Sequence, residues 1–167
     1  MGDRVELVQG DVCKPETLPP LMHGAWGVIH LAGYRDFWSR ERSLYYQLNA
    51  QGAKNVFEAA LEAGVQKVVQ VSTPLAFGFP DRIPFDEATP AGPHPSDYAR
   101  SKYQGDTFGW TLHRERGLPL TVVHLAAVIG AGDPCPTMEV RRAVENKLPA
   151  LVGADTVYTY LYVRDAA

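Results

Sequence analysis

Four short apolar runs punctuate the chain: "VELVQ" at 5–9, "WGVIHLA" at 26–32, "KVVQVST" at 67–73 and "LTVVHLA" at 120–126. None alternates strictly between apolar and polar positions, which is the pattern of strands covered on both faces. The runs predict four buried parallel strands. Between the second and third, Leu44, Leu48, Val56, Ala59 and Ala60 recur near helical spacing, predicting a crossover helix from about Ser39 to Ala63 that Gly64 stops. Residues 74–95 hold six of the thirteen prolines and predict a loop, followed by a helix that Ser96 or Asp97 caps. Beyond the fourth run, "GAGDPCPT" at 130–137 predicts a loop, Thr137 to Lys147 a helix, and "VYTYLYV" at 157–163 a further strand. Strands alternating with helices in this way define an α/β class built on a parallel sheet.

Length and charge narrow what such a fold could do. At 167 residues, 46% of them hydrophobic, the chain has about one domain's worth of sequence and enough apolar side chains for a core. A net charge of -3 offers no broad positive field, which disfavours nucleic acid and anionic membrane surfaces as partners. No apolar run reaches the ~18 residues of a membrane span, and "MGDRVELVQG" lacks the layout of a signal peptide. A cytoplasmic location is the simplest expectation. Cys13 and Cys135 are too few and too isolated for a disulfide framework or a zinc site, so both read as reduced thiols and no metal is expected.

The candidate chemistry lies in "SDYARSKYQG" at 96–105, where Tyr98 and Lys102 stand four residues apart on one face of the helix after the proline-rich loop. A free phenol has a pKa of about 10 and serves poorly in acid–base work at neutral pH, but a neighbouring ammonium favours the phenolate. With eight tyrosines and five lysines in the chain, chance supplies about a quarter of one such pair, so the spacing alone does not decide. Thr73 adds context, because it ends the third apolar run and ligands of open α/β sheets sit beyond the carboxyl ends of strands. Its commoner fate is to satisfy backbone at a strand end before a proline.

These residues sit inside a longer series of motifs. "GD" at 10–11, "HLAG" at 30–33, "NAQGAKNVFEAALEAGV" at 49–65, "VSTPLAFG" at 71–78, "YARSK" at 98–102 and "VIGAGD" at 128–133 follow one another along nearly the whole chain. In order and approximate spacing the series resembles the extended short-chain dehydrogenase/reductases, the NAD-dependent epimerase/dehydratase family. "GYRDFWSRE" at 33–41 with "DPCPT" at 133–137 looks most like the branch holding dihydroflavonol-reductase-like proteins and hopanoid-associated sugar epimerases. The resemblance implies a Rossmann-like doubly wound parallel sheet and NAD or NADP as cofactor. It implies a nucleotide-sugar or ketone-like small-molecule substrate, oxidised or reduced at a hydroxyl or carbonyl carbon.

Carried over by position, the resemblance makes Tyr98 the proton donor or acceptor and Lys102 the group that lowers its pKa and holds the nicotinamide ribose. Thr73 would orient the substrate oxygen and Asn49 would stabilise the site near Lys102. Asp11 would accept from the adenine amino group, while Val12, Leu31, Ala32, Gly33 and Ser72 join Asn49, Tyr98 and Lys102 as cofactor contacts. Ala32 and Gly33 are small enough for close backbone approach. The helices near 39–63 and 97–116 form a dimer interface in relatives, so a homodimer through them is implied.

The chain also departs from the family pattern. The family joins its first strand to a helix through a GxxGxxG turn that takes the cofactor pyrophosphate. No such turn occurs in this sequence, and "GAWG" at 24–27 precedes a strand instead of leaving one. Aligned to the family, Val5 falls in the third strand, so the reading is of a partial NAD(P)-binding domain over 1–167. The first two strands and the phosphate loop would be absent, and the start of a substrate lobe would lie from about residue 133. "VELVQ" would then lack both neighbours in the strand order 3-2-1-4-5-6, which predicts exposed apolar surface and poor stability of the isolated chain. Dehydratases of the family usually carry an acidic pair after the strand-end threonine, whereas Pro74 and Leu75 follow here, which disfavours dehydration. A second reading is a non-catalytic binding or partner subunit that takes no dinucleotide, motivated by the missing phosphate loop.

Overall fold

The computed structural model describes residues 5–36, 38–132, 136–148, 150, 155 and 157–167, and the chain divides into two units, one ending at His124 and one beginning at Leu125. The first unit is a parallel sheet of three strands in the order β1 (Gly27–His30), β2 (Lys67–Ser72), β3 (Leu120–His124). The register sets Gly27 beside Lys67 and His30 beside Gln70, then Val68 beside Leu120 and Ser72 beside His124. All three strands therefore run out at the same edge of the sheet.

Helices connect them. A short turn α1 (Pro19–Met22) leads into β1, and β1 crosses to β2 through α2 (Ser43–Tyr45), a π-helical segment Tyr46–Gln51, and α3 (Gly52–Glu62). Gly64 ends this run at φ 66°, a left-handed backbone that favours glycine. The expected single helix from Ser39 is thus shorter and changes its winding midway. α4 (Asp97–Arg116) crosses from β2 to β3; the Ser96 hydroxyl accepts from the Ala99 N–H at its start, and Gly117 closes it at φ 75°.

α3 turns one stripe inward: Ala53, Val56, Phe57, Ala59 and Ala60 pack with Val65, Val68, Leu112, Leu118 and Leu120 into the core, and Phe57 is fully buried. α4 reaches that core through a glycine. A Cβ on Gly109 would lie 2.8 Å from Leu120 Cδ2 and 2.9 Å from Phe57 Cε2, so a larger residue would require those core side chains to shift.

Two strand expectations fail here. Residues 5–9 form no strand because no described element offers that segment a ladder to pair with, while the exposed apolar surface expected there is present, Leu7 being 94% exposed. The remaining strands are not covered on both faces: along β2 buried positions alternate with half-buried or exposed ones, and Ile29 of β1 is 67% exposed. Helices among the described residues cover one face of this sheet, which makes it half-open in the way an antiparallel sheet often is.

In the second unit β4 (Ala127–Ile129) pairs in parallel with β5 (Tyr160–Tyr162), with α5 (Pro136–Val144) between them and α6 (Val163–Ala166) at the end. The fourth apolar run therefore stops as a strand at His124, and the residues after it serve a separate two-stranded sheet. Cys135 and the loop residues 133–135 lie outside the described residues.

Candidate functional site

The carboxyl ends of β1 and β2 carry the segments that sequence reading singled out, Leu31–Gly33 and Thr73. Thr73 remains extended (φ -140°, ψ 147°), and its Oγ1 accepts a long 3.4 Å bond from the Leu75 N–H, which begins the 3₁₀ turn Pro74–Phe77. The same side chain faces the phenol of Tyr98, one residue inside the start of α4, closely enough to favour its ionised form. Thr73 thus caps the turn after β2 with the same side chain that faces Tyr98.

Lys102, one turn further along α4, is 7% exposed and its Nζ donates to the Val71 carbonyl at 2.9 Å. Burial pulls its pKa down, and the charge of Asp106 offsets part of that. Tyr98 moves the other way from the expectation. Burial pushes its phenol up, while the Thr73 hydroxyl facing it and the positive charge of Arg35 pull it down by less, and Asp106 adds to the rise. The lowering expected from Lys102 is not the net balance, because the site removes the phenolate from water while the ammonium is engaged with a backbone carbonyl.

Asn49 comes from the π-helical segment, a distortion that recurs at functional positions because it re-aims one side chain. It is 1% exposed and clasps the loop after β1: its Oδ1 accepts from the Tyr34 N–H at 2.7 Å and its Nδ2 donates to the Tyr34 carbonyl at 2.8 Å. The same Nδ2 donates to Ser101 Oγ at 3.0 Å, immediately before Lys102. Asn49 therefore ties the loop, the π segment and α4 together. Two glycines make room for it: a Cβ on Gly33 would fall 2.8 Å from Asn49 Oδ1, and one on Gly105 would fall 2.3 Å from the Asn49 carbonyl oxygen.

The helix start is pinned as well. Asp97 accepts from Arg42 Nε, from Arg42 Nη2 at 2.9 Å and from the Tyr46 hydroxyl at 2.7 Å. The bonds from Arg42 and Tyr46 hold its carboxyl down at about 2. Neither Arg42 nor Tyr46 carries a motif, so sequence reading had no signal for this clamp.

The remaining predicted contacts divide. Leu31, Ala32 and Gly33 are exposed at the end of β1, with Leu31 71% exposed, so their backbone is open to a ligand. Asp11 and Val12 lie together on a half-buried turn: the Asp11 carboxylate accepts from the Cys13 N–H at 2.9 Å, and the Val12 carbonyl accepts from Asn55 Nδ2 at 2.8 Å. Asp11 is thus a turn aspartate in this structure. Ser72 is not brought to the site. It is buried and its hydroxyl donates to Asp106, because alternation along β2 turns it toward α4.

Sequence reading missed His30, Gln70, Asp106 and His124, all buried or half-buried polar residues on β1, β2, α4 and β3. His30 is pulled down to about 4, first by burial and then by the charge of Lys102, so it is neutral near pH 7. A polar side chain inside an otherwise apolar run, as in "GVIH" and "KVVQ", was the available signal.

Comparison with known proteins places the chain. The model of the NAD dependent epimerase/dehydratase family matches residues 1–167, and the chain belongs to that family. It is 29% identical over 169 residues to a Synechocystis sp. protein assigned by name to the dihydroflavonol 4-reductases, covering 98% of this chain and 48% of the relative. It is 27% identical over 168 residues to 3beta-hydroxysteroid-dehydrogenase/decarboxylase isoform 1 of Arabidopsis thaliana, covering 97% of this chain and 38% of the relative. Among solved structures, a dTDP-glucose 4,6-dehydratase double mutant from Streptomyces venezuelae with NAD bound superposes with a TM-score of 0.86 at 25% identity, covering 99% of this chain and 53% of that one. The fold is the Rossmann-like α/β fold of these NAD-bound neighbours. The chain spans about half the length, or less, of the relatives it matches. No helix among the described residues is long and apolar enough to cross a membrane.

Proposed function

We propose that the protein works as an NAD(P)-dependent oxidoreductase or epimerase on a hydroxyl or carbonyl carbon, with Tyr98 as its acid–base group. The observation that carries this reading is the phenol of Tyr98 set against Thr73 at the carboxyl end of β2, with buried Lys102 one helical turn behind it. The residues present fit the nicotinamide half of the cofactor. The exposed backbone of Leu31–Gly33 offers close approach, and Lys102 supplies a buried ammonium for ribose hydroxyls. Asp11 and Val12 would meet the adenine side, with NAD or NADP both open. When bound, the nicotinamide supplies or accepts hydride.

In this arrangement Thr73 orients a substrate oxygen toward the phenol, and Tyr98 gives its proton to that oxygen or takes it back. A phenol held above its ordinary value stands as the acid, which suits proton donation to a carbonyl under reduction. Epimerisation needs the reverse transfer as well. The hydrocarbon turn Pro74–Phe77 after Thr73 gives no acid for water elimination, which supports these two over dehydration. The substrate is read as nucleotide-sugar-like or ketone-like. The part of the second unit from about residue 133 is read as the start of a substrate lobe. A homodimer through α3 and α4 finds support in the partly exposed Tyr103, Phe108 and Trp110 of α4.

The test is consumption of reduced cofactor by a panel of ketones and nucleotide sugars, followed by chromatography for isomers. Sustained consumption marks a reductase and isomer exchange without consumption an epimerase. Neither, across the panel and with both cofactors, counts against the proposal.

A further inference from the structure

Below Lys102 on α4 lies a carboxylate that none of the roles above uses. Asp106 is 6% exposed, and three side chains from two strands hold it: Ser72 Oγ donates to Oδ2, Gln70 Nε2 approaches Oδ1 at 3.4 Å, and His124 Nε2 stands 3.4 Å from Oδ2. Ser72 and Gln70 belong to β2, His124 to β3, and the Lys102 Nζ bonds the carbonyl of Val71, which lies between them. A buried ion costs several kcal/mol unless compensated. Polar donors and a nearby opposite charge are what compensate it here.

We propose that Asp106 is a positioning residue for Lys102: anchored to β2 and β3 through Ser72, Gln70 and His124, its carboxylate keeps the Lys102 ammonium charged and seated on the Val71 carbonyl. The geometry has a clear division of labour. Lys102 and Asp106 are four residues apart on one helical face, where side chains are neighbours. The lysine nevertheless donates to the strand backbone, so the carboxylate acts on it through space while its own lone pairs are taken up by the sheet. The direction of the charges agrees. Burial works to neutralise Lys102, and Asp106 is the group that opposes it. His30 of β1, neutral near pH 7, and Tyr98 of α4 are coupled to this pair, and His124 of β3 stands against the carboxylate itself; none of the three supplies a negative charge at that pH.

The inference rests on the reading of Tyr98 and Lys102 as the acid–base centre, but its test does not need turnover or cofactor. The titration of the Lys102 side chain is followed by NMR of the full chain, with Lys54 and Lys67 as internal references. In Asp106→Asn, the Lys102 midpoint is expected to fall further while those of Lys54 and Lys67 stay in place, and Asp106→Glu is expected to restore much of the loss. An unmoved Lys102 midpoint in folded Asp106→Asn overturns the proposal. Should that variant fail to fold, Ser72→Ala serves, since it removes the closest of the three groups that hold the carboxylate and leaves its charge: a displaced Lys102 signal supports the proposal and an unchanged one overturns it. Failure to bind a dinucleotide would defeat the functional reading and leave this titration result untouched, so the two can be told apart.

Discussion

Asn49 and Tyr34 exchange two hydrogen bonds, Tyr34 N–H to Oδ1 at 2.7 Å and Nδ2 to the Tyr34 carbonyl at 2.8 Å, so one buried amide closes the loop that follows β1. Asn49→Leu removes this clasp and the bond to Ser101 together and leaves buried backbone groups unpaired, which costs roughly 1–3 kcal/mol. Chemical denaturation should show a lower midpoint with an unchanged slope. If cofactor binding is measured alongside, it should weaken as the Leu31–Gly33 backbone loosens.

Gly105 is the other half of that packing. Gly105→Ala would set a Cβ 2.3 Å from the Asn49 carbonyl oxygen, and backbone cannot yield as a flexible side chain would. Helix propensity favours alanine by about 1 kcal/mol, yet overpacking here should outweigh it and give a net loss of about 1–3 kcal/mol. Gly117→Ala makes the contrast: nothing crowds its Cβ, and only its φ of 75° opposes the change.

The clamp on the start of α4 predicts a pH signature. The Asp97 carboxyl sits at about 2 in the folded chain, below its ordinary value of 3.8, so its contribution is present above pH 4 and is lost as pH falls toward 2. Asp97→Asn should therefore lower the melting temperature at pH 7, with the gap to the wild type closing at pH 3 and below. A gap independent of pH would mean that the side chain contributes by packing alone. Arg42 is largely exposed, so the effect should also shrink in high salt.

Tyr98→Phe keeps the ring and removes the proton. On a turning-over substrate it should cost at least about 10²-fold in kcat with little change in KM, the signature of a lost acid–base group. Because burial holds the phenol above its ordinary value, carbonyl reduction should lose no rate to Tyr98 ionisation across the neutral range and should fall only as pH climbs past that raised value.

Much of this arrangement was legible in the sequence, for identifiable reasons. The apolar runs at 26–32, 67–73 and 120–126 became β1, β2 and β3, because Val-rich runs bounded by turn residues have few other uses in a chain of this size. Ser96 was readable as a cap, since a hydroxyl before a helical pattern satisfies orphan N–H groups wherever it occurs. The run at 5–9 misled because apolar composition reports what a segment can pair with, not whether a neighbour is there. The π segment at Tyr46–Gln51 was invisible, since the spacing of apolar residues does not report a local change in helical winding. The direction of the shift on Tyr98 was missed for the same reason: spacing gives the nearest charge and says nothing about how much water the fold removes.

The central claim is that Tyr98, Thr73 and Lys102 stand beside a nicotinamide cofactor, and calorimetric titration of the purified chain with NAD and NADP tests it most directly. Measurable binding of at least one of them is expected, weakened about tenfold or more in Lys102→Met, the loss expected for one charge-assisted hydrogen bond. No binding of either dinucleotide, or binding that Lys102→Met leaves unchanged, would contradict it, and the first of these would favour a non-catalytic partner subunit.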